Sequence, residues 1–233
     1  MAAATLSRVG AALRPGMTGG ELDALVRRDT AERGARPAQL GYHGFPAAVC
    51  VSVNDVACHG IPRATEVLAP GDLVSVDVTS ELGGWHGDTC ATFALEPLGP
   101  DAAHLLATAE RCRAVGIAVL RDGARLGDVG HACGELARRE GCSVVTEVGG
   151  HGIGRRMHQP PHVHHVGRRG TGRRLRAGVA LTVEPILVLG NDASVVLDDD
   201  GWTMRTRAGA LSAQFEHTVL VTAEGAEVLT RAP

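Results

Sequence analysis

Aromatic residues and excess charge are both scarce in this sequence. Its 233 residues include two tryptophans, one tyrosine and three phenylalanines, and the formal net charge is −3. A near-neutral chain has no global field that would point to nucleic acid or an anionic membrane as its partner. With 44% hydrophobic and 21% charged residues, the sequence can still bury a substantial core, so we expect an ordinary globular protein.

Long hydrophobic runs and targeting signals are also missing. Residues 1–17 contain no positively charged segment followed by an apolar stretch of signal-peptide length, and no later run approaches a membrane span. The six cysteines form no Cys-x-x-Cys pair, and 31 glycines with few aromatics do not suggest a small disulfide scaffold. We therefore expect a cytoplasmic protein without membrane contact, whose thiols are reduced and mostly buried.

Local signals predict both helices and strands. Thr18 and Glu21 have the form of a capping box that begins a helix of about fourteen residues, ending before Gly34. Two more helices are expected at about 101–122 and 127–140, each followed by a glycine. Apolar runs and alternation predict strands around 47–55, 73–78, 85–95, 143–148, 179–185 and 212–222, with a Gly-Gly turn that makes the second and third antiparallel neighbours.

A faint internal repeat links the two halves of the chain. Gly71 precedes Asp77 by six residues, and Gly178 precedes Glu184 by six, each at the start of an apolar strand. The pattern suggests a duplicated α/β unit with a site between its halves. We expect a single catalytic domain over residues 1–233, with halves of roughly 15–125 and 126–225.

Five potential metal ligands lie in distinctive local sequences: Asp77, Asp88, His151, Glu184 and Glu216. Four carboxylates and one imidazole carry too much negative charge for one buried site unless cations neutralise it. Oxygen and imidazole donors suit divalent ions, so the set indicates a two-metal hydrolase.

Each of these residues could instead have a purely structural role. A lone acid after a buried apolar run is as readily part of a structural ion pair. Asp88 favours the metal, because it follows Asp77 by eleven residues across a hairpin, in a glycine-rich segment where the backbone can approach closely. His151 lies between glycines and not on a helix face, and Glu216 alternates with Phe215 along an expected strand, which favours an inward carboxylate.

The chain resembles the methionine aminopeptidases of the bacterial type I class, in metallopeptidase family M24. The resemblance covers nearly the whole chain from about residue 16. It rests on SVNDVACHGIP (52–62), GDLVSVDV (71–78), GGWHGDTCATF (83–93), GGHGIGRRMH (149–158), LTVEPIL (181–187) and LSAQFEHTVLVT (211–222). It implies an α+β architecture, the pita-bread fold, in which two pseudo-symmetric α/β halves surround a curved antiparallel sheet.

The resemblance also implies how the ligands divide between two ions. Asp77 and Asp88 would hold one ion, His151, Glu184 and Glu216 would complete the other, and Asp88 and Glu216 would bridge both. The donors suit Co, Mn, Fe or Zn without choosing among them. A hydroxide bridging the two ions would attack the scissile carbonyl.

Three residues would carry the proton and charge movements that the resemblance implies. Glu184 would shuttle the proton of the water, His158 would donate to the carbonyl oxygen, and His59 would contact the scissile amide nitrogen or the group beside it. Without the resemblance, these histidines could equally be structural: His59 could be a surface histidine in a tight turn, and Met157 and His158 could form a packing pair.

A pocket for the methionine side chain follows from the same resemblance. The implied substrate-binding residues are Tyr42, Phe45, Cys50, His59, Met157, His158 and Trp202. The sequence departs from the family at Gln39, where a small or thiol side chain is more usual, and at Met157, where an aromatic is frequent. Gln39 could narrow the pocket or add a polar contact.

Two other features of the sequence carry weaker expectations. His162, His164 and His165 follow two prolines, so we expect them to be exposed loop histidines without a ligand role. The segment before Thr18 is expected to hold little of the family's usual leading helix, and no targeting or zinc-binding extension.

The implied function is removal of the initiator methionine from nascent proteins when the next residue is small. The partners would be N-terminal peptides, and we expect a monomer. Five arginines, Arg168, Arg169, Arg173, Arg174 and Arg176, raise the hypothesis that their loop touches ribosomal RNA, although a solvated loop accounts for them equally well. A proline-directed pita-bread peptidase and a non-catalytic binding protein on the same fold are the alternative functions.

Overall fold

The computed structural model describes residues 1–232 and contains helices and short strands in alternation, which confirms the α+β class. The helices are α1 (Ala2–Ala12), α2 (Gly19–Glu32), α3 (Pro100–Ala118) and α4 (Leu126–Arg139). The strands are β1 (Arg36–Pro37), β2 (Cys50–Val53), β3 (Val56–Cys58), β4 (Leu73–Leu82), β5 (Trp85–Ala94), β6 (Cys142–Val144), β7 (Gly150–Gly152), β8 (Gln159–Val163), β9 (Ala180–Val183), β10 (Ile186–Leu189), β11 (Val195–Leu197), β12 (Met204–Thr206), β13 (Ser212–Gln214), β14 (His217–Val221) and β15 (Ala226–Val228).

The capping box at the start of α2 is present as predicted. The Thr18 hydroxyl accepts a hydrogen bond from the Glu21 N–H at 3.2 Å, and the Glu21 carboxylate accepts one from the Thr18 N–H at 2.7 Å. Two backbone donors that a helix leaves unpaired are thereby satisfied. The expected helix at 127–140 agrees with α4, whereas α3 ends at Ala118 rather than near residue 122.

Helix α1 was not expected from the sequence. Its buried face is built largely from small residues, with Leu6 and Val9 as its larger members. The helix packs closely on β5, because a Cβ at Gly10 would overlap the Phe93 ring. The expectation that little of a leading helix precedes Thr18 was therefore wrong.

The longest strand pair positions the first two candidate ligands. Strands β4 and β5 pair antiparallel along their whole length, and Gly83 and Gly84 form the predicted turn with φ of 60° and 81°. In this register Asp88 lies opposite Thr79, while Asp77 lies opposite Cys90. Strands β2 and β1 pair with the other edge of β4.

A five-stranded sheet in the order β15-β14-β9-β7-β8 positions the remaining ligands, and two three-stranded sheets, β13-β10-β6 and β11-β12-β3, complete the strand pairing. One large core packs α3 and α4 against β9, β10 and β14, and another packs α1 and α2 against β2 and β4. The division into halves near residue 125 stays a prediction.

Two ligands lie beside strands rather than on them. Strand β9 ends at Val183, directly before Glu184, and Glu216 lies in the break between β13 and β14. The Glu216 N–H donates to the Cys90 carbonyl on β5 at 2.8 Å, outside the ladder of its own sheet. The expectation of an uninterrupted strand over 212–222 was therefore wrong, and the break lets the carboxylate turn into the interior.

The expectation for the thiols agrees with the structure. All six cysteines are free and buried. Within residues 1–232, no helix combines the length and apolar character that crossing a membrane requires.

Candidate metal centre and substrate cavity

All twelve residues proposed for the site line one cavity of about 610 Å³. They come from widely separated parts of the chain: Tyr42, Phe45, Cys50, His59, Asp77, Asp88, His151, Met157, His158, Glu184, Trp202 and Glu216. The structure therefore brings together every predicted ligand, catalytic and pocket residue, while their individual roles stay predictions.

The tightest group of potential ligands is formed by Asp88, His151 and Glu216. One ligand atom from each of these three lies within 4.8 Å of the others. The Nε2 atom of His151 is also 3.6 Å from Glu184 Oε1 and 3.8 Å from Asp88 Oδ2. Asp77 lines the same cavity, and the nearby Asp88 carboxylate helps to raise its pKa.

The protonation of His151 suits a metal ligand. Burial lowers the pKa of His151 to about 4, so the imidazole is neutral near pH 7. Its Nδ1 atom lies 3.1 Å from the Gly152 carbonyl oxygen, which can only accept a hydrogen bond. Nδ1 therefore carries the hydrogen, and the lone pair of Nε2 faces the carboxylates, as metal-bound histidines require.

The carboxylates are crowded and incompletely paired. Burial, reinforced by the neighbouring carboxylates, raises the pKa of Asp77 and Glu216 well above the usual range, and burial raises the pKa of Glu184 to about 8. Asp77 Oδ1 and Glu216 Oε1 are buried without a hydrogen-bond partner among the described residues. Buried acids in this condition are costly, and divalent cations would supply both the missing charge and the missing contacts. The donor set therefore fits the implied metals.

Three threonines hold candidate ligands in place, two through the carboxylate and one through the backbone, and the sequence reasoning missed them. The Thr79 hydroxyl donates to Asp88 Oδ1 at 2.7 Å, and the Thr182 hydroxyl donates to Glu184 Oε1 at 2.5 Å. The Thr218 hydroxyl accepts from the Asp88 N–H at 3.0 Å. Each threonine is two positions from one of the five candidate ligands, and on an extended chain such residues share a face. This two-residue spacing is the sequence signal that could have identified the three threonines.

His165 corrects an expectation. It is 3% exposed, and its Nε2 atom accepts a hydrogen bond from the Glu184 N–H at 3.1 Å, whereas His162 and His164 are exposed as expected. Burial lowers the pKa of His165 to about 3, so its ring stays neutral and can accept. Alternation along and just beyond β8 explains the difference, because His165 shares the inward face with Val163.

Gln39 uses its amide on the strand that carries Asp77. The Nε2 atom donates to the Asp77 carbonyl at 3.0 Å, and Oε1 accepts from the Thr79 N–H at 3.3 Å. The side chain thus continues the pairing of β1 along the edge of β4. Its Nε2 also lies 3.6 Å from Cys50 Sγ, at the wall of the cavity.

One end of the cavity is apolar and aromatic. Phe45 and Trp202 meet edge to face with ring centroids 5.1 Å apart, and Cys50 belongs to the same buried cluster. Met157 is 5% exposed and adds a flexible thioether to the lining. The space suits an unbranched apolar side chain.

Two histidines lie between the carboxylates and the apolar end. The ring centroids of His158 and His151 are 4.1 Å apart, and His158 Nδ1 is 2.7 Å from the Tyr42 hydroxyl. Partial desolvation at the cavity wall and the neighbouring His151 lower the pKa of His158 to about 4, although the residue is exposed at the cavity mouth. His59 has a φ of 54°, and its ring centroid is 6.5 Å from that of Trp202.

Comparison with known proteins gives a consistent result. Residues 1–223 match the model of metallopeptidase family M24. Methionine aminopeptidase A of Synechocystis is 44% identical, over 99% of this chain and 90% of that protein. Methionine aminopeptidase 1 of Mycobacterium tuberculosis is 46% identical, over 98% of this chain and 88% of that protein.

Solved structures agree with the sequence comparison. The crystal structure of methionine aminopeptidase from Rickettsia prowazekii superposes with a TM-score of 0.96 at 41% identity, covering 99% of this chain and 92% of that one. An Xaa-Pro dipeptidase from Bacillus anthracis superposes with a TM-score of 0.77 at 20% identity, covering 100% of this chain and 58% of that one, a likeness of fold alone.

Proposed function

Because the chain belongs to metallopeptidase family M24, among its methionine aminopeptidases with their pita-bread fold, we propose that it removes the initiator methionine from nascent proteins whose next residue is small. The observation that carries the proposal is the cluster of buried carboxylates and His151 in a cavity that also has an apolar end. The limit to a small second residue comes from the family resemblance. The expected setting is the cytoplasm, and a monomer stays a prediction.

The proposed ligands are those predicted from the sequence. Asp77, Asp88, His151, Glu184 and Glu216 would together hold two divalent ions. The unpaired oxygens of Asp77 and Glu216 support cation binding by this set, because a buried carboxylate oxygen without a partner needs a cation or a proton. Two such ions would polarise the scissile carbonyl and acidify a shared water, so that it attacks as hydroxide near neutral pH.

Glu184 and His158 move the protons in this proposal. The Glu184 carboxylate lies 3.6 Å from His151 and faces the cavity, where it can accept a proton from the water. His158 Nδ1 is hydrogen-bonded to the Tyr42 hydroxyl, and in the proposed tautomer the hydroxyl donates and the ring hydrogen lies on Nε2. Nε2 is then available to donate to the carbonyl oxygen as that oxygen gains charge.

The methionine side chain occupies the apolar end. Phe45, Cys50, Met157 and Trp202 surround it, and the two sulfur-containing residues adapt to a thioether. His59 stands between this pocket and the carboxylates, where it contacts the scissile amide nitrogen or the group beside it.

A panel of short peptides tests the substrate. Metal-loaded protein is incubated with Met-Ala-Ser, Met-Leu-Ser and Ala-Pro-Ser, and released amino acids are measured by mass spectrometry. We expect free methionine from Met-Ala-Ser only. Release from Ala-Pro-Ser would indicate a proline-directed peptidase, and tight peptide binding without any release would indicate a binding protein.

The ribosome contact is a separate proposal. Arg168 and Arg169 are exposed at the start of the basic loop, and charge of this kind binds RNA in a salt-dependent way. Co-sedimentation with ribosomes tests it, and Arg168→Ala/Arg169→Ala should reduce the bound fraction. Binding that is unchanged by this substitution or by raised salt would count against the contact.

A further inference from the structure

A second groove lies beside the substrate cavity. It has a volume of about 430 Å³ and shares Gln159 and Pro160 with the cavity. Trp85 forms part of its wall and is 56% exposed. The Arg155 guanidinium lies over the Trp85 ring at 4.2 Å from the centroid, which keeps this wall ordered.

The groove is strongly basic although the chain as a whole is slightly acidic. Four arginines line it, Arg155, Arg173, Arg174 and Arg176, and no aspartate or glutamate of residues 1–232 does. Arg176 has a distant partner in Asp122 at 3.8 Å. Arg173 and Arg174 are exposed, and no carboxylate in the described chain lies within 4 Å of either guanidinium.

We propose that this basic groove binds acidic side chains of the substrate polypeptide, downstream of the residue that is cleaved. The inference rests on the proposed function, because that function places the substrate N-terminus in the adjoining cavity. An extended polypeptide advances about 3.3–3.6 Å per residue, so a chain that leaves the cavity past Gln159 and Pro160 reaches the groove within a few residues. Acidic side chains of the substrate would pair there with Arg173 and Arg174, which have no carboxylate partner in the described chain.

A polypeptide fits the groove better than single-stranded nucleic acid does. Sites that bind single strands stack successive bases on several aromatic side chains. Only one aromatic ring, Trp85, lines this groove within the described residues, and Arg155 already covers it. The lining also includes aliphatic and prolyl side chains, among them Ile153, Pro161 and Val179, which suit a peptide backbone.

Three peptides that differ only in charge test the proposal. Each begins Met-Ala-Ser-Gly and continues with two glutamates, two glutamines or two lysines, and the charged pair is then moved stepwise from positions 5–6 to 8–9. At low salt we expect the KM of the best-placed glutamate peptide to be about three- to tenfold below that of the glutamine peptide, the lysine peptide to have the highest KM, and kcat to change little.

Two matched variants separate the groove from general charge effects. Arg173→Gln/Arg174→Gln removes two charges from the groove, and Arg168→Gln/Arg169→Gln removes two charges from the same loop outside it. The first variant should abolish the difference between the glutamate and glutamine peptides, whereas the second should keep it. Both should cleave Met-Ala-Ser at the unchanged rate.

Fluorescence anisotropy of labelled peptides gives a readout that does not need catalysis. Binding of the glutamate peptide to metal-stripped protein should weaken in the groove variant and not in the loop variant. Equal affinities for the three peptides, or equal losses in both variants, would overturn the proposal. An oligonucleotide of ten uridines is tested in the same way. If it binds tightly, if only Arg173→Gln/Arg174→Gln abolishes that binding, and if the glutamate peptide shows no preference, the groove is a nucleic-acid site instead. If the protein cleaves Met-Ala-Ser but treats the glutamate, glutamine and lysine peptides alike, only this inference is refuted and the proposed function is not.

Discussion

Replacement of Gln39 by methionine should weaken both the fold and the metal centre. The change keeps the length and much of the volume of the side chain but removes its hydrogen bonds to the Asp77 carbonyl and the Thr79 N–H. Asp77 is a candidate ligand, and Thr79 holds the Asp88 carboxylate. A single substitution therefore disturbs the support of two ligands.

The magnitude follows from the groups that lose their partner. A buried backbone group left unpaired costs about 1–3 kcal/mol, and partial relaxation reduces the sum for two groups to about 2–4 kcal/mol. Residues that orient ligands typically change metal affinity by about 10- to 100-fold. Gln39→Met should therefore lower the free energy of unfolding of the metal-stripped protein by about 2–4 kcal/mol and weaken metal binding by about tenfold or more.

Urea unfolding and calorimetric metal titration measure the two effects separately. Gln159→Met is the matched control, because Gln159 lines the same cavity and its side chain makes no hydrogen bond within residues 1–232. The control should leave both quantities near those of the unchanged protein. Unaltered stability and metal affinity in Gln39→Met, with a changed preference between methionine and norleucine peptides, would show that Gln39 acts only as a wall of the pocket.

Three further changes test other parts of the site. Thr79→Val should weaken metal binding by about 10- to 100-fold, because it removes the hydrogen bond that holds Asp88. Thr108→Val is the control, since it changes a buried hydroxyl without a partner in the described chain and should leave metal binding unchanged. Equal metal titration curves for the two variants would contradict this prediction. Because the folded-state pKa of Glu184 is about 8 against a usual 4.5, its contribution to stability is complete below pH 4.5 and is lost as the pH rises through 8. Urea midpoints of metal-stripped protein should therefore fall from pH 5 to pH 8, and a rise would refute the assignment. Trp202→Ala should raise KM for Met-Ala-Ser about tenfold or more with a smaller change in kcat, because it removes pocket surface; an unchanged KM would exclude Trp202 from the pocket.

Much of the strand framework could be predicted because its signals are local. The Gly83-Gly84 turn and the alternation on either side of it predict the β4–β5 hairpin, and the hairpin alone brings Asp77 and Asp88 together. The capping box at Thr18 marks the start of α2 for the same reason. Such features depend on residues close in sequence.

The features that were missed depend on contacts between distant segments. Helix α1 is stabilised by packing on β5, which its own small residues do not reveal. The break that turns Glu216 inward is set by a bond to Cys90 on another sheet. The role of His165 as an acceptor comes from a hydrogen bond with Glu184, nineteen residues further along the chain. The local hydrophobic periodicity of the sequence does not indicate such distant partners.

The central claim is most directly tested by restoring metal to chelator-stripped protein. Release of methionine from Met-Ala-Ser is measured before and after addition of Co, Mn, Fe(II) or Zn, with Asp88→Asn as the inactive control. We predict no release without metal, release after addition of at least one of these ions, and none from Asp88→Asn under any condition. Metal binding that restores no cleavage, or cleavage that survives both metal removal and the Asp88 substitution, would contradict the proposed two-metal peptidase.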